Sequence, residues 1–166
     1  MTTDTIPSTI TQAAADADEA LARLQNAVTQ LGDGDLGRAH YGGGWSLAQV
    51  ISHINVCSLL WVADVARVAA DPDLTFFFRE EVGHDAVGYP PPTVAIAVRQ
   101  LGSTRLTLAT TLRAIPAEVL GRTVEIPDLG TMTMSEWTPL ILGHAVGHVE
   151  QAFEIMRNRE FAPAGA

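Results

Sequence analysis

Four stretches of this sequence place apolar residues at helical spacing, and this periodicity constrains the fold more than any other feature. The stretches cover about residues 9–31, 47–70, 93–115 and 135–159. Glycine or proline separates each stretch from the next, as is typical where helices end. Each stripe is apolar on one side only, so each helix must bury that side against other helices. We therefore predict an all-α protein built as a four-helix bundle.

The segment between the second and third predicted helices, residues 71–92, is much longer than a simple turn. A helix of 24 residues is about 36 Å long, and an extended chain covers about 3.3 Å per residue. The segment can therefore cross the bundle and start the third helix parallel to the second. Long segments of this kind often close over binding sites, so His84 within it is a candidate lid residue.

Two of the four helices carry recognisable start signals. Ser46 followed by Gln49 has the capping-box form, in which each side chain satisfies the other residue's backbone N–H. Ser135 is the predicted N-cap of the last helix. Pro139 lacks a backbone N–H and is best tolerated in a first turn, so this helix is expected to begin near that residue or slightly before it.

A short β-hairpin is predicted before the last helix. Thr123–Ile126 and Thr131–Met134 alternate in the manner of strands, and turn-forming residues separate them. The whole chain has 166 residues, which fits one domain. We expect a single helical bundle over 9–160, with a disordered N-terminus at 1–8 and a loose tail at 161–166.

The charge balance excludes several classes of partner. The formal net charge is −9, and all ten basic residues are arginine. A chain this acidic has no basic patch for a nucleic acid or for an anionic membrane surface. The N-terminus lacks the pattern of a signal peptide, and Cys57 as the single cysteine fits a reducing compartment. We expect a soluble, cytoplasmic protein that acts on a small molecule.

Three histidines are the candidate functional residues. His144 and His148 are spaced i, i+4 on the apolar side of the last predicted helix, about 6 Å apart along its axis. His53 lies beside the apolar stripe of the second helix. Three imidazoles on one divalent metal leave a position open for water or substrate, which is the arrangement of catalytic sites. The competing interpretation is that the histidines are hydrogen-bonded core residues.

Several neighbours of these histidines have alternative interpretations. Cys57, one turn after the first of them, is either a soft fourth ligand or a small core residue. Gln151, one turn beyond His148, is a candidate for orienting a water or a substrate next to the metal. Gly143 and Gly147 are costly in a helix interior, and room for close helix packing, room for a ligand, or chance would each account for them.

Other metal-site and nucleotide-site classes are absent from the sequence. A di-iron carboxylate bundle needs two Glu-x-x-His motifs on helices, and the single instance, Glu81 to His84, lies in the long segment. The His-Glu-x-x-His, paired Cys-x-x-Cys and Gly-x-Gly-x-x-Gly motifs do not occur. Trp45, Trp61 and Trp137 are interpreted as core or interface packing.

The arrangement of these motifs resembles that of a known family. Gly44-Trp45-Ser46 opening a helix, with His53 seven residues after the serine, resembles the second-helix signature of the DinB/YfiT-like metalloenzymes. The segment from Gly130 to Ser135, followed by His144-x-x-x-His148-x-x-Gln151, is similar to the hairpin and fourth helix of that family. The resemblance extends from the first helix to about Arg157.

The resemblance implies a bundle of the up-down-down-up type and a homodimer. It also implies a divalent metal, most often zinc or nickel, on His53, His144 and His148. Related proteins include thiol-dependent S-transferases and the metal-binding domain of mycothiol-dependent maleylpyruvate isomerase.

The leading hypothesis is therefore a metal-dependent enzyme that activates a low-molecular-weight thiol, such as mycothiol, for attack on a small electrophile. Metal-dependent hydrolysis at the same site is the first alternative. A non-catalytic bundle that binds a ligand or a protein partner is the second.

Overall fold

The computed structural model describes residues 6–39, 44–71, 73, 87–126 and 130–157. These residues form a helical protein with one small two-stranded sheet, so the predicted all-α class with a hairpin is confirmed. His84 and the expected tail at 161–166 lie outside the described residues, and the domain bounds stay a prediction. The elements are α1 Ser8–Val28, α2 Leu47–Ala70, α3 Val94–Ala114, the single turn α4 Ala117–Leu120, β1 Thr123–Ile126, β2 Gly130–Thr133 and α5 Met134–Arg157.

In cross-section, the four long helices lie at the corners of a square. α1 packs against α3 and α5, and α2 packs against the same two helices, so α1 and α2 lie on opposite corners. All four helices contribute apolar side chains to one core. Full burial of a leucine or isoleucine side chain stabilises the fold by about 1.5–3 kcal/mol. Core residues include Leu21, Leu24, Ile51, Trp61, Leu101, Leu108, Leu142 and Ile155.

α2 and α3 run in the same direction, as the long crossover predicts. The backbone N–H of Val94, at the start of α3, donates to Asp33 Oδ1 at 2.7 Å. The backbone N–H of Leu47, at the start of α2, donates to the Arg38 carbonyl at 2.9 Å. Both acceptors belong to or directly follow one 3₁₀ turn, Asp33–Gly37. The two helices therefore start at the same end of the bundle.

The other two helices run opposite to α2 and α3. Arg105 of α3 donates to both carboxylate oxygens of Asp18 in α1, at 2.9 and 3.1 Å. Gln25, later in α1, donates to the carbonyl of Val98, which is earlier in α3, so α1 and α3 are antiparallel.

α1 and α5 are parallel. Arg23, in the second half of α1, lies 3.6 Å from Oε1 of Glu150, in the second half of α5. The order is up-down-down-up.

The last helix begins earlier than predicted, and its cap is a different residue. Thr133 and Glu136 form the capping box: the Thr133 N–H donates to Glu136 Oε2 at 2.7 Å, and the Glu136 N–H donates to Thr133 Oγ1 at 3.3 Å. The prediction of Ser135 as the cap was wrong, because the Glu136 side chain forms the capping box with Thr133, the residue three positions before it. Pro139 consequently lies inside α5 rather than in its first turn.

α2 is the one helix of the described residues that is long and apolar enough, by length and composition alone, to cross a membrane. In the bundle, 61% of its most apolar stretch is buried against other helices. The core helix of a bundle has the same length and composition, and the packing of α2 is that of a core helix.

Asp64 of α2 is the one buried charged side chain among the described residues. Burial raises the pKa of its carboxyl to about 7, against the opposing attraction of Arg67, whose Nη1 lies 3.8 Å from Oδ1. The ordinary value is 3.8, so protonation of Asp64 favours the folded state. Its contribution to stability is complete below about pH 4 and is lost as the pH rises through about 7.

The Asp64→Asn variant keeps the shape of the side chain and removes this titration. We expect the variant to gain stability relative to the wild type between about pH 4 and pH 8, because only the wild type must bury a charge at the higher pH. Urea unfolding of both proteins across this range measures the difference. A difference that stays constant with pH would contradict the assignment.

Gly88 packs directly on α2 with a positive φ of 60°. A methyl group at this position would overlap Val56 Cγ2 and lie 3.2 Å from Ser52 Oγ. The segment that leads into α3 therefore returns to the first half of α2 along a path that only glycine permits.

Gly88→Ala should lower the free energy of unfolding by about 2–4 kcal/mol, since backbone strain and overpacking add. Gly130→Ala is the matched control, because Gly130 also has a positive φ (78°) but, within the described part of the chain, nothing lies within 4 Å of an added methyl group. We expect a loss of about 1 kcal/mol there. Equal losses in the two variants, measured by urea unfolding, would show that the contact with α2 is unimportant.

Candidate metal centre

The start of α2 is fixed by reciprocal hydrogen bonds. The Ser46 N–H donates to Gln49 Oε1 at 2.7 Å, and the Gln49 N–H donates to Ser46 Oγ at 3.2 Å, so the predicted capping box is present. Gly44, just before it, has a φ of 115°, which favours glycine. His53 lies two turns into a helix whose beginning is thus well defined.

The structure brings the three candidate histidines together. His53 of α2 is 1% exposed, whereas His144 and His148 of α5 are half-buried. The ring centroid of His53 lies 5.2 Å from that of His144 and 4.4 Å from that of His148, and the two α5 rings are 4.4 Å apart. One ligand nitrogen from each ring lies within 4.8 Å of the other two. The cluster thus joins two helices that are far apart in sequence.

The spacing of these nitrogens fits a metal ion. Nε2 of His144 and Nε2 of His148 are 3.1 Å apart. Metal–nitrogen bonds of about 2.0–2.1 Å place two ligand nitrogens about 2.8–3.0 Å apart in octahedral geometry and about 3.3–3.4 Å apart in tetrahedral geometry. The α5 pair therefore needs little movement to share one ion, and a ring nitrogen of His53 lies within 4.8 Å of both.

Gln151 determines which nitrogen of His148 faces the cluster. Nδ1 of His148 lies 2.7 Å from Gln151 Oε1, one turn further along α5. An amide oxygen only accepts, so Nδ1 carries the proton and Nε2 presents its lone pair to His144. Hydrogen bonds of this kind, made to the nitrogen that faces away from the metal, orient imidazole ligands in metal sites. Gln151 therefore acts on the His148 ring, and its predicted role toward a water or a substrate stays a prediction.

Cys57 packs on the side of the His53 ring. Its Sγ lies 3.5 Å from Nε2 and 3.8 Å from Nδ1 of His53. Such similar distances place the sulfur beside the ring rather than along the lone pair of one nitrogen. The group of mutually close ligand atoms does not include it. Burial raises the pKa of the Cys57 thiol to about 11. This geometry favours the small core residue over the fourth ligand.

Trp45 is the residue that the sequence interpretation missed. It is half-buried, and its ring centroid lies 4.4 Å from that of His53 with the planes tilted by 50°. It also lies 5.8 Å from the ring of His148 in a nearly stacked arrangement of 29°. Trp45 therefore contacts one histidine from each helix rather than packing only in the core. The feature of the sequence that could have indicated this role is the position of Trp45 directly before Ser46, the cap of α2.

The two glycines of α5 do not mark a close helix contact. Gly143 and Gly147 are exposed, and no atom of the described residues lies within 4 Å of a methyl group added to either. This excludes close packing of another described helix at these positions. Bare helix surface therefore runs directly beside His144 and His148.

A substitution at Gln151 tests its control of the His148 ring. We expect Gln151→Leu to weaken zinc binding by about 10–100-fold, the usual range for second-shell partners, because the ring loses the acceptor that fixes its tautomer. Gln151→Glu retains an acceptor oxygen and should remain within about threefold of the wild type in a competition titration with a chromophoric chelator. Equal zinc affinities for all three proteins would show that Gln151 has no role in metal binding.

Comparisons with known proteins place the fold in context. A model of the DinB superfamily matches residues 16–152. Among solved structures, the chain is similar to YfiT from Bacillus subtilis, described as a probable metal-dependent hydrolase with an unusual four-helix bundle topology. The TM-score is 0.64 at 18% sequence identity, over 92% of this chain and 89% of the other, which establishes a shared fold. No curated protein matches the sequence.

Proposed function

This chain belongs to the DinB superfamily, and from that membership we propose a metal-dependent enzyme in which His53, His144 and His148 hold one divalent ion. The observation that carries the proposal is the convergence of one ring nitrogen from each histidine within 4.8 Å, across two helices. Three protein ligands leave coordination positions for a substrate, as in catalytic rather than structural sites. The exposed helix surface beside His144 and His148 supplies the approach.

The donor set favours a transition metal. Three neutral imidazoles suit zinc, nickel, iron or copper, whereas magnesium and calcium prefer oxygen ligands. The cluster formed by the described residues contains no carboxylate. Zinc or nickel is the proposed ion, in agreement with the resemblance to DinB/YfiT-like metalloenzymes.

The proposed reaction is transfer of a low-molecular-weight thiol, such as mycothiol, to a small electrophilic substrate. A divalent ion lowers the pKa of a thiol or water that it binds and so supplies a nucleophile at neutral pH. The protein's residues hold the imidazoles in orientation and keep one ligand, His53, away from bulk water. Among the residues that the structure describes, the cluster offers no carboxylate as a general base. A thiol, with an ordinary pKa of about 8.5, needs far less activation than water at about 15.7, which favours the thiol.

Hydrolysis is the second candidate, favoured by the similarity to YfiT and its description as a probable metal-dependent hydrolase. It would use the same three histidines and the same open side of the cluster. We further propose that the protein acts in the cytoplasm as a homodimer on a small molecule, without a nucleic-acid or membrane partner. The net charge of −9 and the single cysteine support this setting.

Elemental analysis of chelator-free, untagged protein tests the site. We expect about one zinc or nickel ion per chain, and its loss from the His144→Ala/His148→Ala double variant. Cys57→Ser is the control within the same site, and it should retain the metal because the sulfur lies beside the His53 ring. Failure of the wild type to bind or take up metal would favour a non-catalytic bundle.

Dependence on thiol separates the two reactions. Turnover of an electrophilic substrate panel by the metal-loaded protein should require an added thiol and yield a thioether product detectable by mass spectrometry. Turnover that proceeds equally without thiol and incorporates water would assign hydrolysis instead.

A further inference from the structure

Trp45 connects the two halves of the histidine cluster. Its indole lies against His53 of α2 at 4.4 Å and nearly stacks on His148 of α5 at 5.8 Å, measured between ring centroids. We infer that Trp45 is a positioning residue that holds these two imidazoles in the orientation required for metal binding. The inference rests on the proposed metal site and goes beyond its three ligands.

The backbone that directly follows Trp45 is fixed by hydrogen bonds that do not involve the histidines. Ser46, the next residue, forms the capping box of α2 and also pairs with Ala39 in an isolated antiparallel bridge. The N–H of Leu47 donates to the Arg38 carbonyl at 2.9 Å. The backbone that directly follows Trp45 is therefore held by α2 and by residues 38–39. From this backbone the indole reaches both imidazoles.

The contacts on each imidazole are complementary. Two side chains contact the His53 ring. The Cys57 sulfur lies 3.5 Å from its Nε2, and the indole of Trp45 packs against it with the ring planes tilted by 50°. His148 is held at Nδ1 by Gln151, at 2.7 Å. A hydrogen bond at one atom still permits the ring to tilt about that bond, and a stacked indole restricts the tilt. Trp45 thus supplies the restraint that the hydrogen bond lacks.

The absence of this indole should affect metal binding more than folding. Trp45 is half-buried at the edge of the bundle, whereas Trp61 is fully buried in the core. Trp61 lies eight residues after His53, about 12 Å along α2, and makes no ring contact with the three histidines among the described residues. Trp61→Phe is therefore the matched control for a loss of indole that leaves the cluster untouched.

The experiment is a Co²⁺ titration of the metal-free full chain, with visible absorption and the dissociation constant as readouts. We expect Trp45→Ala to bind Co²⁺ about tenfold more weakly than the wild type, with shifted and weaker visible bands, because the ligand geometry loosens. Trp45→Phe keeps a ring and should restore most of the affinity. Trp61→Phe should match the wild type in both readouts, and urea unfolding establishes that each variant is folded.

Three results would overturn the inference. Trp45→Ala with wild-type affinity and spectrum would do so while the proposed metal site stands. An equal loss in Trp61→Phe would assign the effect to general destabilisation and not to positioning. A wild-type protein that takes up no Co²⁺ would remove the proposed function and, with it, the role of Trp45.

Discussion

The register between α2 and α5 is the constraint on which the candidate site depends. Arg122 ties the two helices together at one end: its carbonyl accepts from the Met134 N–H at 2.8 Å, and its guanidinium donates to the Val68 carbonyl. His53 lies fifteen residues before Val68, and His148 lies fourteen after Met134. At 1.5 Å per residue, His53 and His148 each lie about 21–23 Å along their helix from the Arg122 contacts. Because the two helices are antiparallel, the two histidines lie at the same height in the bundle. A shift of one residue would turn an imidazole by about 100°.

The bundle buries the three histidines unequally, and this has a chemical consequence. His53 faces the core side of the α2–α5 contact, whereas the α5 pair lies at the border between the core and the exposed glycine surface. One imidazole is thus buried away from water, and two are reachable from solvent. The parallel α3 supports α2 from its other side, where Thr104 donates to Asn55 Oδ1 at 2.9 Å. A site at a helix–helix border can be both rigid and open.

The elements and the three histidines could be predicted from the sequence, because each depends on local information. Periodicity locates the helices, and the i, i+4 spacing places two imidazoles on one face. The capping box at Ser46 is likewise local. The start of α5 was predicted wrongly, since it depends on where the hairpin ends and so on which residue pairs with Glu136. The contact of Trp45 with histidines of two helices depends on the register between those helices. The apolar periodicity of each helix carries no information about that register.

The most direct measurement of the central claim is X-ray absorption at the metal edge of the zinc- or nickel-loaded protein. The account predicts nitrogen or oxygen neighbours at about 2.0–2.1 Å, outer-shell scattering from three imidazole rings and no sulfur at about 2.3 Å. Scattering from fewer than three imidazoles, or a sulfur neighbour at about 2.3 Å, would contradict the three-histidine site formed by α2 and α5.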